Sequence, residues 1–395
     1  MTVELVIQSV IVYTLFGWGM YRVAQFGVKN KYGLLVHKTV PIESILFCTL
    51  LFALISGLRW GVGVDYYGYL NGYEFLQNNG YLEKEHLGEP LWDWILKLFA
   101  SQGLHYSLWF GFWASIQALF VCLTFKDKPK VFPYAALLCI LGDYYLTMMN
   151  GIRQSVACCI FIYAVQFIPK KKIIPYAILV LIASSIHKSA LITAPLFLFF
   201  FDKTEWTKRP ILYIIVGICT VLGYTSFVTS MLDNAVVMLD LLNYDTYVDR
   251  FESFSDESRF SNAAWGPIRL SKYLVGVFVI YFYPQISEYF KNDYVKIAFK
   301  LFFIGFCVSN LAANTYYLLL RPFWYITFLG LPMTAFVLAY LYEQGKKQRK
   351  LYLLFMAVAV LPLYWAVIKG YRSADYSYSI YQFFFSSDKI YLRPF

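Results

Sequence analysis

Apolar runs that are long enough to cross a lipid bilayer recur along the whole chain, and they constrain its fold more than any other feature. A helix needs about 20 apolar residues to cross the hydrocarbon core. The candidate runs are 4–24, 39–58, 106–125, 131–149, 153–168, 173–186, 189–201, 211–231, 271–284, 297–320, 322–342 and 351–368. Only 15% of the 395 residues are charged, compared with about 25% in soluble domains. The sequence therefore predicts an all-α fold, a polytopic transmembrane helical bundle of about 11–12 spans, as a single integral membrane domain, 1–395.

The basic residues fall mainly in alternate connections between these runs. Connections rich in Lys and Arg stay in the cytoplasm, so this asymmetry predicts the orientation of the chain. The basic connections are Lys29–Lys38, Lys126–Lys130, Lys170–Lys172, Lys203–Arg209, Lys291–Lys296 and Lys346–Lys350. Two larger connections, about 59–105 and 232–270, then face the other side as extracytoplasmic loops. Because this pattern accounts for the net charge of +10, nucleic acid is not expected as a partner.

The alternation of sides requires the stretch 173–201 to cross the membrane twice, or to dip in and return. A break at His187-Lys188-Ser189 satisfies this requirement, although each half is short for a complete span. The alternative is one long tilted helix, with a span miscounted elsewhere. With the break, both termini lie outside, and the same outer face gathers Arg59, Asp65, Arg153, His187 and Arg321.

Arginines at an outer membrane face suit a phosphate ligand. A guanidinium is permanently charged, and its planar fork of donors matches two phosphate oxygens at once. Arg59, Arg153 and Arg321 are therefore candidates for binding a pyrophosphate, and Lys188 is a fourth. Arg153 is also a candidate catalytic residue, through charge that develops on a leaving phosphate. The alternative is that each arginine, like Lys188, is an interface anchor that extends to the lipid headgroups.

His187 and Asp65 are the candidates for acid–base chemistry. An imidazole is the usual general base near neutral pH, and His187 stands at the predicted break. Asp65 follows a glycine-rich turn and is the second candidate base, or the group that orients the base. The alternatives are a hydrogen-bonded histidine in a helix kink and an aspartate that caps a helix starting at Tyr66. No second His or Cys lies close to His187 in sequence, so no metal site is predicted.

Three residues of the larger loops are candidates for sugar binding. They are Tyr66, Glu89 and Arg269, in loops that are rich in aromatic and polar side chains. The alternative for Glu89 and Arg269 is a solvated loop charge.

The segment 91–104 is predicted to be an amphipathic helix along the outer interface. It follows Pro90, which favours the first turn of a helix, and it is too short to span the membrane. One face carries Leu91, Trp94, Ile95 and Leu98.

These segments together resemble the EpsG-like branch of the Wzy-type bacterial polysaccharide polymerases. The resemblance covers about 45–200 in order and spacing, and after 200 it is confined to Arg321 and overall hydropathy. It is carried by Gly57-Leu58-Arg59 to Asp65-Tyr66, Glu89-Pro90, Gly151-Ile152-Arg153-Gln154, Lys170 to Lys172, and Ser185-Ile186-His187-Lys188-Ser189-Ala190-Leu191-Ile192.

The resemblance implies a glycosyltransferase of the bacterial inner membrane whose active site faces the periplasm or exterior. Such enzymes join oligosaccharide repeat units carried on undecaprenyl pyrophosphate, and they need no metal or cofactor. The implied partners are the lipid-linked donor and acceptor, membrane lipid, a chain-length regulator and a flippase. Two alternatives remain open: another outer-face transferase, such as a ligase or acyltransferase, and a flippase or transporter. The last would require internal repeats and charges at mid-membrane, whereas here the charges lie at one end and no repeat is found.

Overall fold

The computed structural model describes residues 2–28, 35, 37–82, 86, 88–142, 144–200, 204–225, 265–313, 320–371 and 374–386. Within these ranges the chain is almost entirely helical, as predicted. The α-helices are α1 (Val3–Val28), α2 (Ile42–Gly57), α3 (Tyr66–Asn79), α4 (Pro90–Ser101), α5 (Tyr106–Thr124), α6 (Phe132–Leu141), α7 (Tyr144–Asn150), α8 (Ile152–Ala164), α9 (Ile173–Ile186), α10 (Leu196–Phe199), α11 (Arg209–Gly223), α12 (Pro267–Phe290), α13 (Asp293–Leu311), α14 (Trp324–Thr327), α15 (Gly330–Glu343) and α16 (Arg349–Gly370). The 3-10 helices are Val165–Phe167, Lys188–Thr193, Arg321–Phe323, Gly345–Gln348 and Ala374–Ser379. Strands β1 (Arg59–Trp60) and β2 (Gln382–Phe383) pair antiparallel. Most of the predicted loop 232–270 lies outside the described residues.

Five helical stretches of the described residues are long and apolar enough to cross a membrane. They are Val3–Val28, Tyr106–Thr124, Asp293–Leu311, Arg321–Glu343 and Gly345–Gly370. The count reaches 6 if α6 and α7 form one bent span, and five further apolar helices have only 10–17 residues. The polytopic helical fold is thus confirmed. The number of about 11–12 spans stays a prediction, because several apolar runs of the described residues fold as short or interrupted helices.

The predicted break at His187 is present. Helix α9 ends at Ile186, and His187 has an extended backbone with φ −148° and ψ 107°. The 3-10 helix Lys188–Thr193 begins immediately afterwards, and α10 follows it. The stretch 173–201 is therefore not one long helix. The break places the partly exposed imidazole of His187 at the point where α9 ends.

The run 131–149, predicted as one span, instead folds as two helices. Helices α6 and α7 are inclined by 60°. Gly142 follows α6 with an extended backbone, φ −75° and ψ 170°, which ends the helix. Every residue of α6 is buried, so its apolar character reflects a position inside the bundle rather than contact with lipid.

Helices α2 and α5 have the most extensive packing in the described part of the chain. A Cβ on Gly57 would lie 2.7 Å from the carbonyl oxygen of Ser107, so only glycine fits there. This close approach fixes the end of α2 against the start of α5. It thereby fixes the loop that carries Arg59 and Asp65.

The C-terminal segment returns to this same end of the bundle. Strand β2 pairs with β1, so Arg59 faces Phe383 and Trp60 faces Gln382. The hydroxyl of Tyr13, on α1, donates to the carbonyl of Ser379 at 3.0 Å. The start of α1, the loop after α2 and the C-terminal segment therefore lie together, as the predicted alternation of sides requires. We call this the site end.

In the part of the chain that the structure describes, several of the basic connections lie at the opposite end, which we call the basic end. Lys130 forms an ion pair with Glu343 at 2.9 Å, and Lys296 forms one with Glu205 at 2.9 Å. The backbone N–H of Val40 donates to the carbonyl of Lys126 at 2.7 Å. The 19-residue helix α5 connects the two ends. These basic connections thus lie at the end of the bundle opposite the loop that carries Arg59 and Asp65.

Candidate active site at the end of the helical bundle

A buried carboxylate, Glu89, joins the two residues that the sequence singled out most strongly. One oxygen, Oε2, accepts a hydrogen bond from Nη1 of Arg153 at 2.5 Å. The other, Oε1, lies 2.7 Å from Nδ1 of His187 and accepts the backbone N–H of Lys188 at 3.2 Å. Glu89 is only 4% exposed, and a carboxylate taken out of water at this depth requires such partners. We call Glu89, Arg153 and His187 the triad.

Local structure explains why Glu89 can reach both partners. Glu89 directly precedes α4 in the N-cap position, yet its side chain makes no capping hydrogen bond. Pro90 suits the first turn of α4 because its missing N–H would have no partner in the helix there, and the carbonyl of Glu89 accepts the backbone N–H of Asp93 at 3.3 Å. The carboxylate instead extends to the start of α8 and to the break after α9. Gly88, with φ +84°, turns the chain into this position and packs against the side chain of Lys188.

The charge state of Glu89 follows from its partners. Burial alone would raise the pKa of Glu89, but the hydrogen bond from His187 and the charge of Arg153 outweigh burial and lower this pKa. Glu89 is therefore ionised near neutral pH and can only accept hydrogen bonds. It follows that Nδ1 of His187 carries the proton. In the neutral imidazole, Nε2 is then left as a proton acceptor.

His187 is partly exposed, and one of its ring nitrogens is held by Glu89. Its side chain is 23% exposed, and the bond to Glu89 fixes the plane of the ring. Among the described residues, none forms a hydrogen bond with Nε2. A partner at Nδ1 and an available Nε2 are the arrangement that a histidine base needs.

Asp65 lies at the same end, close enough to two arginines for their charges to affect its pKa. It occupies the N-cap position of α3, as the sequence suggested, but its side chain makes no capping hydrogen bond. Its backbone N–H donates to Oδ1 of Asn150 at 2.9 Å, which ties the loop to the helix before Arg153. Burial raises the pKa of Asp65, and the positive charges of Arg321 and Arg153 oppose this without cancelling it.

The turn before Asp65 requires glycine. Gly63 has φ +99°, and a Cβ there would lie 2.4 Å from the carbonyl oxygen of Met149. Because of this positive φ and this close approach, no larger side chain fits at position 63 unless the backbone shifts. Gly63 therefore lets the loop that carries Asp65 pack directly against the end of α7.

Arg321 brings a second guanidinium to this region. It begins a 3-10 helix, and its Cζ lies 5.9 Å from the ring centroid of Trp324. Its carbonyl accepts a hydrogen bond from Nε2 of Gln154 at 2.5 Å, so Arg321 sits beside the residue that follows Arg153. Within the described residues, no carboxylate lies at ion-pair distance from Arg321, and its Nε is buried without a hydrogen-bond partner. This side chain is thus a cation that a bound anion could neutralise.

Arg59 and Tyr66 lie apart from the triad. Arg59 is 1% exposed, and its guanidinium donates to the carbonyls of Val62, at 3.3 Å, and of Ser56. It also stacks on Phe110, with Cζ 4.4 Å from the ring centroid. Tyr66 is completely buried, and its hydroxyl donates to the carbonyl of Arg59 at 3.2 Å. In this conformation both residues stabilise the loop, and a ligand has no access to either.

Lys188 and Arg269 have contacts that differ from the roles predicted for them. Lys188 contacts Glu89 through its backbone N–H, while its side chain is exposed. Arg269 lies on α12, with its Cζ 4.7 Å from the ring of Tyr224 and 5.3 Å from that of Trp265. It also lines a cavity between α12 and α13.

The profile of the EpsG family matches residues 44–384. The chain belongs to the EpsG family. This membership indicates a membrane protein of the polysaccharide-polymerase type. None of the curated proteins and none of the solved structures compared with the chain is detectably similar to it.

The central role of Glu89 in this EpsG-family protein was not found from the sequence, which suggested only sugar binding. The signal that could have found it is the Glu-Pro pair before an amphipathic helix, because this pair places the glutamate at the N-terminus of α4, where its side chain makes no capping hydrogen bond. Trp92, two residues after Pro90, was also missed. Its ring centroid lies 5.8 Å from Cζ of Arg153. Trp94 and Leu98, assigned to the apolar face of the same helix, point away from the protein.

Proposed function

We propose that this EpsG-family protein is a glycosyltransferase that joins oligosaccharide repeat units carried on undecaprenyl pyrophosphate. The product is an O-antigen, a capsule or an exopolysaccharide. The growing chain leaves its lipid and is transferred to the newest lipid-linked unit. The observation that supports this proposal most is the triad, with Arg321 beside it. The triad offers a base and a cation within one cluster, and both are needed when a sugar leaves a pyrophosphate.

In the proposed reaction, a hydroxyl of the acceptor sugar attacks the anomeric carbon of the donor. A new glycosidic C–O bond forms as the bond between that carbon and the pyrophosphate oxygen breaks. The hydroxyl proton passes to Nε2 of His187, and the electron pair of the broken bond stays with the polyprenyl pyrophosphate. Atoms and charge balance without a further reactant.

Each residue of the cluster has a role that its contacts support. Glu89 holds the proton on Nδ1 of His187 and balances the imidazolium after proton transfer, which is the part that the carboxylate takes in a catalytic triad. Arg321, which no described carboxylate neutralises, stabilises the negative charge that grows on the pyrophosphate. Arg153 shares its charge between Glu89 and the phosphate. Asp65 orients sugar hydroxyls, or replaces His187 as the base.

The orientation in this proposal rests on the charge separation between the two ends of the bundle. By the positive-inside rule, the basic end lies in the cytoplasm, so the triad faces the periplasm or exterior of the bacterial inner membrane. The acceptor and donor are both membrane-anchored. Their pyrophosphates would therefore be presented at the headgroup level, which is where this orientation would put the triad.

Lipid-linked saccharides in the producing bacterium test this function. A strain lacking the gene is complemented with the wild-type gene or with Arg321→Ala, and lipid extracts and polymer are analysed by size. We expect wild type to give long polymer, and Arg321→Ala to accumulate single lipid-linked units at normal protein level. Arg321→Ala removes the fixed positive charge that would stabilise the leaving pyrophosphate. We therefore expect the amount of polymer to fall by about 10²-fold or more. Unchanged polymer length in the deletion strain would contradict the proposal, and attachment of only single units would indicate a ligase.

A further inference from the structure

A second pair of a carboxylate and a histidine encloses Glu89 in the chain. Nδ1 of His86 lies 2.6 Å from Oδ1 of Asp93, and the backbone N–H of His86 donates to Oδ2 of the same carboxylate at 2.8 Å. Both oxygens of Asp93 thus bind a single residue. The proposed reaction uses neither side chain, so this pair needs a separate explanation.

The pair closes the short turn that leads into Glu89. Within that turn, the backbone N–H of Glu89 donates to the carbonyl of His86 at 2.9 Å, and the carbonyl of Glu89 accepts the backbone N–H of Asp93 at 3.3 Å. Gly88, with φ +84°, allows the chain to bend between them. The backbone of Glu89 is therefore bound on both sides, once to each member of the pair.

The hydrogen bonds of this pair are partly shielded from water. The side chain of Asp93 is 13% exposed, and that of His86 is 27% exposed. As a carboxylate, Asp93 can only accept hydrogen bonds, so Nδ1 of His86 carries the proton. Hydrogen bonds to a charged acceptor are stronger than those between neutral groups. Two such bonds to one carboxylate stabilise a single conformation of the turn before α4.

Asp93 belongs to a part of α4 that is itself fixed in the bundle. Trp92, the residue before it, is 1% exposed, and its ring stacks on that of Trp113 in α5, with the centroids 4.8 Å apart. The ring centroid of Trp92 also lies 5.8 Å from Cζ of Arg153. Because α4 is held by these contacts, the pair ties the turn to a firmly placed helix.

Glu89 needs such a constraint because its carboxylate meets partners from two other elements. Oε2 accepts Nη1 of Arg153, at the start of α8, at 2.5 Å. Oε1 lies 2.7 Å from Nδ1 of His187 and accepts the backbone N–H of Lys188, both beyond the end of α9. The side chain makes no capping hydrogen bond that would fix it to α4. A misplacement of about 1 Å, even by a change far from the chemistry, can slow a reaction by about 10²-fold.

We propose that His86 and Asp93 are positioning residues of the proposed reaction. They hold the turn before α4, so that the carboxylate of Glu89 meets His187 and Arg153 in the geometry that proton transfer requires. This inference rests on the proposed function and adds two residues that act through Glu89 and need no contact with the substrate. Without the pair, the turn can move although Glu89 keeps its own side chain.

Nitrogen NMR of the histidine rings tests the positioning without any substrate. The chain has four histidines, so full-length protein labelled on histidine nitrogen gives few ring signals, and His187→Ala identifies that of His187. We expect its Nδ1–H signal in wild type to be that of a hydrogen-bonded ring. In His86→Ala and Asp93→Ala this signal should weaken through exchange with water. In His86→Asn, whose amide can donate to Asp93 in place of Nδ1, it should return.

The rate of chain extension measures the consequence for the reaction. We expect His86→Ala to lower kcat by about 10–100-fold at an unchanged KM for the lipid-linked substrate, because the turn is misplaced but the substrate contacts remain. His86→Asn should recover most of this loss. The matched control is Leu98→Ala, on the same helix, because Leu98 is 44% exposed and points away from the protein. It should keep both the His187 signal and the rate.

The outcomes separate this inference from the proposed function. An unchanged His187 signal in His86→Ala and Asp93→Ala would overturn the positioning role, and so would a wild-type rate in these variants. Wild-type protein that does not extend chains would contradict the proposed function, while the His187 signal would still decide whether the pair holds Glu89. Asp93→Asn keeps the shape of the side chain and loses its charge. It replaces any alanine variant that does not fold, and it should weaken the signal in the same way.

Discussion

Replacement of His187 by Ala is expected to slow polymerisation by about 10²–10⁴-fold, the usual contribution of a general base. The reason is that Nε2 of His187 is the proton acceptor for the attacking hydroxyl, while Glu89 holds the opposite nitrogen. The measurement is the initial rate of chain extension by purified protein, with lipid-linked units extracted from the deletion strain. Added imidazole should restore part of the rate, since the space left by the side chain opens to the surface.

The matched control is His37→Ala, since His37 lies exposed at the basic end. It should extend chains at the wild-type rate. A His187→Ala protein that works within twofold of wild type would assign proton transfer to another group, and Asp65 would be the next to examine. Rescue by imidazole distinguishes a lost base from a disturbed fold, because a misfolded protein gains nothing from the added base.

Arg153→Ala is expected to remove polymer formation and also to destabilise the protein. Glu89 would lose its closest partner while remaining buried, and breaking such a pair costs about 3–5 kcal/mol. Glu89→Gln/Arg153→Ala should recover much of this loss, because no buried charge is then left unpaired. Neither variant should recover activity, since both lack the guanidinium. The measurement is thermal unfolding in detergent, together with the chain-extension assay.

Lys130→Ala provides the comparison for stability. Lys130 and Glu343 form an ion pair of similar length, 2.9 Å, but both side chains are more exposed than Glu89. Exposed pairs contribute about 0–1 kcal/mol. If the unfolding temperature of Arg153→Ala is no lower than that of Lys130→Ala, the Glu89 carboxylate must have become hydrated or protonated in the variant. The buried pair would then not be the element that holds the site together.

Hydropathy and charge predicted the parts of this fold that depend on local sequence. Helix α9 ends where the run 173–186 ends, and α5 matches the run 106–125 within a residue. The break at His187 followed from the need to alternate sides. The gathering of Asp65, Arg153, His187 and Arg321 at one end followed from the same reasoning, because a helix carries its terminal residues to a definite end of the bundle.

The pairings within the site could not be predicted, because they depend on how distant elements pack. Glu89 is 64 residues from Arg153 and 98 from His187, and only the position of α4 brings them together. Arg59 shows the converse, that a residue near a site residue in sequence can lie outside the site. It stands beside Asp65 in the sequence, yet β1 and the ring of Phe110 turn it into the interior. Hydropathy reports that a run is apolar, but α6 shows that such a run can be buried in protein instead of lipid.

Photo-crosslinking of a lipid-linked substrate tests the central claim most directly. An undecaprenyl-pyrophosphate saccharide with a diazirine on the first sugar is irradiated with the full-length protein in nanodiscs, and the labelled peptides are sequenced. The proposed site predicts labels close to Arg153, His187 and Arg321, which unlabelled undecaprenyl pyrophosphate displaces. Labels confined to the basic end, around Lys128 and Lys130, in a protein that still extends chains would contradict it.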